Sequence, residues 1–419
     1  MESREVASVR NFLVLGNGFD LSCKLPSSYS DYYSKRYSDG VIELFDYDQF
    51  FRSIPYNYGI KEAIRGYGFL DFVLLSFSNK NLDKMQWADI ESIILRIFDE
   101  EEDFGIKKLS ELFVRDYSST GKYPNFFNVD MNNYIFNHVI TKKLTSLPIE
   151  LKQGALFDIL IQKGILTMYL KDSLVVEQIL LKAFDENLKV IESDFKEYIQ
   201  ANVEDESLYY KLNSKMVFNE LLLDLRSSFD SSDKLNLEST YVLTFNYSYS
   251  EISNRFYAYN HVHGRMATSN DIIFGVDENA LSSDSPYFPY TKTYRKLLLD
   301  TINKDKSKKM PTKIKKLAFY GHSLGEADYS YFYSIFDHYD IYNSQIEIIF
   351  YYCDYLMDER QSVLREYVSN ISKLFTKYSE NSKFTTKNLL HKLNLEGRIT
   401  IKEIKIDYTE KGSIDKVSI

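Results

Sequence analysis

Apolar residues follow two rhythms along this chain: short unbroken runs near both ends, and helical stripes between them. Residues 11–15, Asn-Phe-Leu-Val-Leu, form a run closed by Gly16, which predicts a buried strand entering a tight turn. Pro26-Ser27-Ser28 then supplies turn and cap chemistry for a helix over 29–37. Residues 87–99 place Ile90, Ile93, Ile94, Ile97 and Phe98 on one helical stripe, with Asp89 and Glu91 in the first turn. From 103 to 236 the stripes lengthen. Leu180, Phe184, Leu188, Ile191, Phe195 and Tyr198 recur at helical spacing, and 216–229 predicts another helix.

Strand character returns at 240–245, 258–263, 271–275 and 314–320, and a helix is predicted over 329–338. Residues 345–352 are a continuous apolar run, the pattern of a central parallel strand. A helix over 361–378 and a strand over 398–404 follow. Strand–helix alternation on both sides of a helical stretch predicts an α/β fold: a doubly wound, mostly parallel sheet interrupted by a large all-helical insertion. The expected organisation is an α/β domain from 1–102 plus 237–356, a helical insertion over 103–236, and a helix/strand extension over 357–419.

The net charge of −9 opposes direct nucleic-acid binding, which needs a basic surface to neutralise phosphates. The lysine run over 303–316 reads as a solvated loop leading into a strand. Two cysteines, Cys23 and Cys353, make neither a disulfide framework nor a four-ligand zinc site, and a reducing, cytoplasmic location is expected. The N-terminus is charged and its apolar run is too short for a secretory signal. No stretch approaches a membrane span, so no membrane association is expected.

Four segments carry candidate chemistry. Gly16-Asn17-Gly18-Phe19-Asp20 follows the first strand, where a Gly-x-Gly turn lets backbone amides approach a pyrophosphate. It lacks the third glycine of the dinucleotide fingerprint, having Leu21 there, and a plain strand-ending turn fits the same residues. Asp20 would repel a phosphate, so it is assigned to a ribose hydroxyl or a helix cap. Asn246 stands at the end of the 240–245 strand, where ligands of open sheets bind; an Asn in a turn is the alternative. His261 and His263, at i and i+2 beside Gly264, point the same way if the strand continues through them. One of them acting as a general base is favoured over a metal site, for which no third ligand is fixed, and no metal is expected.

Gly321-His322-Ser323-Leu324-Gly325 has the spacing of a hydrolase nucleophile elbow. The elbow requires a helix directly after the serine, whereas Gly325-Glu326-Ala327-Asp328 reads as a loop ending in a cap with the helix starting at Tyr329. A serine hydrolase is therefore the weaker alternative.

Taken in order, these segments resemble the AbiH family of bacteriophage abortive infection proteins. The resemblance rests on Leu15-Gly-Asn-Gly-Phe-Asp-Leu21 with Leu25-Pro-Ser-Ser-Tyr29, Trp87-Ala-Asp-Ile-Glu91, Thr244-Phe-Asn-Tyr247, His261-Val-His-Gly264 and Gly321-His-Ser-Leu-Gly-Glu-Ala-Asp328. More distantly the order is similar to SIR2-like, Rossmann-like NAD-binding domains. That resemblance implies Gly16 and Gly18 cradling the pyrophosphate, with Asn17, Phe19 and Asp20 of the same loop among the cofactor-binding residues, and Asn246 at the nicotinamide ribose. It further implies His263 as base, with Ser323 and Asp328 at the ribose or phosphate. Asp20 stands where that pattern has Ser or Thr, and Ser248 where Asp is frequent; the zinc-binding cysteines of deacylases are missing. The implied function is a phage-defence effector that binds NAD or a related nucleotide and hydrolyses its nicotinamide–ribose bond. A non-catalytic nucleotide sensor or scaffold is the alternative. A phage-derived trigger and a homo-oligomer are both compatible with this reading.

Overall fold

The computed structural model describes residues 9–38, 68–77, 87–115, 149–167, 169–205, 207–226, 237–264, 272–303, 309–352, 360–381 and 388–406. Cys353, Arg265, residues 1–8, and Lys304, Lys306 and Lys308 lie outside them. In chain order the elements are β1 (Asn11–Leu15), α1 (Gly18–Ser22), α2 (Tyr29–Ser38), α3 (Phe69–Phe77), α4 (Trp87–Phe98), α5 (Ile106–Phe113), α6 (Ile149–Gln162), α7 (Ser173–Asp205) and α8 (Ser207–Leu225). There follow β2 (Thr240–Thr244), β3 (Ala258–His261), α9 (Lys292–Asn303), β4 (Lys316–Tyr320), α10 (Tyr329–His338), β5 (Glu347–Tyr352), α11 (Arg360–Asn381), α12 (Leu389–Leu395) and β6 (Ile399–Glu403). The chain divides into two compact units.

The first unit, Met1–Ser27, Lys196–Ile273 and Asp277–Ile419, holds a six-stranded sheet of order β3-β2-β1-β4-β5-β6. Every pairing is parallel. Alternation along the strands sends side chains to two buried faces, which is why the runs are apolar throughout rather than at every second residue. Phe12, Val14, Leu317, Phe319, Ile348 and Phe350 face one core with Phe332 and Phe336 of α10, Leu374 and Phe375 of α11, and Leu393 of α12. Leu13, Leu15, Val242, Ala318, Tyr320, Ile349 and Tyr351 face the other, with Phe19 of α1 and Val217, Phe218 and Leu221 of α8. The sheet is thus covered on both sides, as the doubly wound reading requires.

The order places the switch point between β1 and β4, where successive connections leave in opposite directions. In two places the sheet differs from the sequence reading. Ile272–Gly275 form no strand; Val276 makes a single bridge and the Ile273 amide donates to the His263 carbonyl at 3.0 Å. Their apolar character comes from burial of a loop, which a run of hydrophobic residues cannot distinguish from a strand. β6 pairs with β5 from Ile348 to Tyr352, so the segment expected as an extension supplies an edge strand of the main sheet.

In the second unit, Ser28–Phe195 with Phe274–Val276, the described elements of the long segment are helices, α2 to α6 and most of α7. Its centre is the fully buried Asp71, which accepts hydrogen bonds from Arg36 Nε (2.9 Å), Tyr37 Oη (2.6 Å), the Gly68 amide (2.9 Å) and Asn187 Nδ2 (2.7 Å). Tyr29 stacks on Phe195 at 4.7 Å, and Phe98 meets Phe184 edge-on at 5.2 Å. These contacts tie α2 to α4 into the helical unit through α7, where the sequence pattern drew the insertion at 103–236. The stripe of α8 instead packs on the sheet of the first unit.

Candidate functional site

Four strand ends converge on the chemistry-bearing residues. After β1 the chain turns through Gly16-Asn17-Gly18, and after β4 through Gly321-His322. These two turns are pressed together: the Gly16 amide donates to the Tyr320 carbonyl at 3.0 Å and the Gly18 amide to the Gly321 carbonyl at 2.7 Å. A Cβ on Gly16 would lie 2.5 Å from His322 Cα, one on Gly18 2.7 Å from Gly321 Cα, and one on Gly321 2.4 Å from the Phe19 nitrogen. Gly321 also has φ +68. Glycine at these positions is therefore demanded by backbone-to-backbone packing at the switch point.

Of the other loop residues, Phe19 and Asp20 face the protein and Asn17 faces outward. Asn17 is exposed and its Oδ1 accepts from Ser27 Oγ at 2.7 Å. Phe19 packs into the core against Phe218, with centroids 4.7 Å apart. Asp20 is 1% exposed; its Oδ1 accepts from Ser248 Oγ (2.7 Å) and Tyr210 Oη (3.0 Å). Burial pushes its carboxyl up to about 7, the two hydroxyl hydrogen bonds opposing only part of that.

Asn246 follows β2. It is 3% exposed, and neither Oδ1 nor Nδ2 has a hydrogen-bond partner among the described residues. Its backbone is well held, with the amide donating to Thr244 Oγ1 (3.1 Å) and the carbonyl bonded to His261 Nδ1 (2.9 Å). β3 ends at His261, so the strand alternation expected to align His261 with His263 does not extend to His263. His263 is buried, flanked by the rings on either side of Asn246: Phe245 at 5.4 Å and Tyr247 at 6.2 Å.

His263 Nε2 lies 3.6 Å from Asp328 Oδ1, and its Nδ1 is buried without a partner among the described residues. Asp328 is shared. Lys292 Nζ, at the start of α9, sits 3.0 Å from the same Oδ1, and His322 Nε2 lies 3.3 Å from Oδ2. The Leu324 amide donates to His322 Nδ1 at 2.9 Å, so the His322 proton is on Nε2, toward Asp328. Although Asp328 occupies the N-cap position of α10, its side chain makes no cap bond; it is spent on this cluster. Burial raises the Asp328 carboxyl, but Lys292 and the two histidines outweigh that and hold it well below the usual carboxylate range. Burial lowers His263 from its ordinary value, Lys292 and His322 add to that, and Asp328 pulls the other way.

Ser323 is exposed, and the α-helix after it begins only at Tyr329, following a 3-10 turn over Glu326–Asp328. That is not the strand–serine–helix elbow of a hydrolase. Among the described residues no group of three or more His, Cys, Asp or Glu has metal-holding geometry, and no helix is long and apolar enough to cross a membrane.

Two participants were not singled out by sequence reasoning. Lys292 carries no motif. His322 fell on the variable position of Gly-x-Ser-x-Gly. The signal for His322 is the apolar run Leu317–Tyr320 ahead of the Gly321 turn; the polar residues around Lys292 carry none.

A six-stranded parallel sheet of order β3-β2-β1-β4-β5-β6, with a buried His–Asp–Lys cluster at its carboxyl edge and an Asn246 amide without a partner among the described residues, defines an α/β protein with a Rossmann-like sheet. The chain belongs to the bacteriophage abortive infection AbiH family, whose model matches residues 12–352, from β1 through β5. Membership supports a role in abortive infection of phage. No curated protein and no solved structure matches the chain.

Proposed function

We propose that this AbiH protein is a defence effector that binds NAD or a related nucleotide at the carboxyl edge of the sheet and hydrolyses its nicotinamide–ribose bond. The observation that carries the reading is that the Asn246 amide and the His263 Nδ1 are both buried without a hydrogen-bond partner among the described residues, with the rings flanking Asn246 packed beside His263. Burying such groups without partners costs about 1–3 kcal/mol each, so each calls for a water, an ion or a ligand to complete it. Asn246 offers its NH2 as donor and its Oδ1 as acceptor to a sugar hydroxyl or a water. His263 offers a lone pair.

In the reaction the C1′–N bond breaks and its electron pair leaves with nicotinamide. Water attacks C1′ through an oxocarbenium-like state, and His263 Nδ1 takes the water's proton, giving ADP-ribose, nicotinamide and the protonated base. The depressed proton affinity of His263 leaves it neutral and able to accept at neutral pH. The resemblance to SIR2-like domains supports the choice of nucleotide. Gly16 and Gly18 contribute by holding the β1 and β4 turns together, and Asn17, Ser323 and the turn backbone are the groups proposed to meet the phosphates.

The test is nicotinamide release from NAD by the purified full chain, alone and with phage-infected extract. The expected result is release by wild type and a loss of about 100-fold or more in His263→Ala. A thermal shift with ADP-ribose but no nicotinamide in either condition would replace hydrolysis by the sensor reading. Equal release by His263→Ala would remove His263 from the chemistry.

A further inference from the structure

The Asp328 carboxylate has more neighbours than an orienting partner of His263 needs. A buried histidine facing a lone carboxylate is drawn toward the imidazolium form, which has no lone pair to accept a proton. Here the same oxygen that faces His263 Nε2 is taken by Lys292 Nζ at 3.0 Å, and Lys292 also donates to the Ala327 carbonyl at 3.2 Å. Lys292 is 1% exposed, a burial that lysine accepts only when its charge is matched. The other Asp328 oxygen faces His322, whose tautomer is fixed by the Leu324 amide. Lysine and aspartate thus cancel as a pair, and a proton added to His263 would create an unmatched buried cation. Tyr331, with its ring 6.0 Å from that of His263, and Tyr247 complete the groups facing the imidazole, and neither supplies a counter-charge as a neutral phenol.

We infer that Lys292 is a positioning residue: by occupying Asp328 it lets that carboxylate orient His263 through Nε2–H while leaving the imidazole neutral, with Nδ1 as the open proton acceptor. Calling His263 the base rests on the proposed function; the charge arrangement does not.

The experiment is a histidine titration by NMR on the full chain labelled with 15N-histidine, without nucleotide, His263 being assigned by the signal missing in His263→Gln. In Lys292→Met the His263 midpoint is expected to rise by about one pH unit or more, the size of effect a close charge exerts. Lys292→Arg should keep it near wild type. Asp328→Asn, which keeps Lys292 and removes the attraction, should move it down. A midpoint that does not rise in folded Lys292→Met, or that rises in Asp328→Asn, overturns the inference. Should Lys292→Met fail to fold, Lys292→Gln, which keeps a donor toward Asp328 and removes the charge, must show the same rise, and its absence overturns the inference. Because no nucleotide is present, the outcome is independent of whether NAD is cleaved.

Discussion

Replacing Gly321 by alanine tests whether the two strand-end turns are packed as tightly as their geometry demands. The added Cβ would sit 2.4 Å from the Phe19 nitrogen and 2.7 Å from the Gly18 carbonyl carbon, both backbone atoms that cannot rotate away. Gly321 also has φ +68, a conformation costing an L-residue about 1–2 kcal/mol. Overpacking adds about 1–3 kcal/mol, for a total of about 2–5 kcal/mol. Gly397 is the internal control: its φ is +66 and nothing lies within 4 Å of its added Cβ, so Gly397→Ala carries only the backbone part. Urea unfolding followed by circular dichroism separates them. A gap of about 2 kcal/mol corresponds to about 1 M in midpoint at a slope of about 2 kcal/mol per M. Phage protection should fall in Gly321→Ala and persist in Gly397→Ala, because displacing Gly321 moves the neighbouring His322 and with it Asp328. Equal midpoints for the two variants would refute the packing argument. A Gly321→Ala protein as stable as wild type would refute it more severely.

Asn246→Leu should lose nucleotide binding yet melt no lower than wild type, since it replaces an unpaired buried amide by an apolar group of similar shape; a fall of many degrees in the melting temperature would show that the amide has a structural partner. Asp20→Asn tests a pH effect. The folded protein keeps the Asp20 proton up to about 7, whereas the unfolded chain releases it near the ordinary value of 3.8. Between those values the folded state binds more protons, so wild-type stability falls as pH rises toward 7 and levels off above it. The stability of Asp20→Asn relative to wild type should accordingly climb across that window, by about 4 kcal/mol at most, read from urea midpoints at several pH values. A flat difference would mean Asp20 is ionised in the folded protein.

Much of the sheet was legible because a two-sided parallel strand leaves an unbroken apolar run, and β1, β2, β4 and β5 all do. The run at 272–275 shows the limit, since a buried loop leaves the same mark as a strand. β6 was legible as a strand, but its partner was not: pairing with β5 depends on a connection whose return path the periodicity does not encode. Asn246 and His263 were legible as strand-end polar residues. Lys292 was not, because a buried lysine and a surface lysine at a helix start look alike until an aspartate thirty-six positions away is brought against it. The glycines of the first turn were legible as a tight approach, but the partner in that approach proved to include the turn after β4.

The two buried aspartates at this edge show how partners, not residue type, set the charge a ligand would meet. Asp328 has Lys292 against one oxygen and stays an anion, but its charge is consumed within the cluster. Among the described residues Asp20 accepts from the hydroxyls of Ser248 and Tyr210, and burial leaves its carboxyl holding a proton close to neutral pH. From sequence alone Asp20 looked like an obstacle to phosphate, two residues after a Gly-x-Gly turn. Turned inward and near-neutral, it exerts much less of that repulsion than an exposed carboxylate in the same loop would. The electrostatic objection to an anionic ligand beside Gly16–Gly18 is weakened accordingly. Because Asp20 ionises as pH rises past about 7, that objection returns on the alkaline side, so any anion affinity of this edge should weaken there in wild type and not in Asp20→Asn.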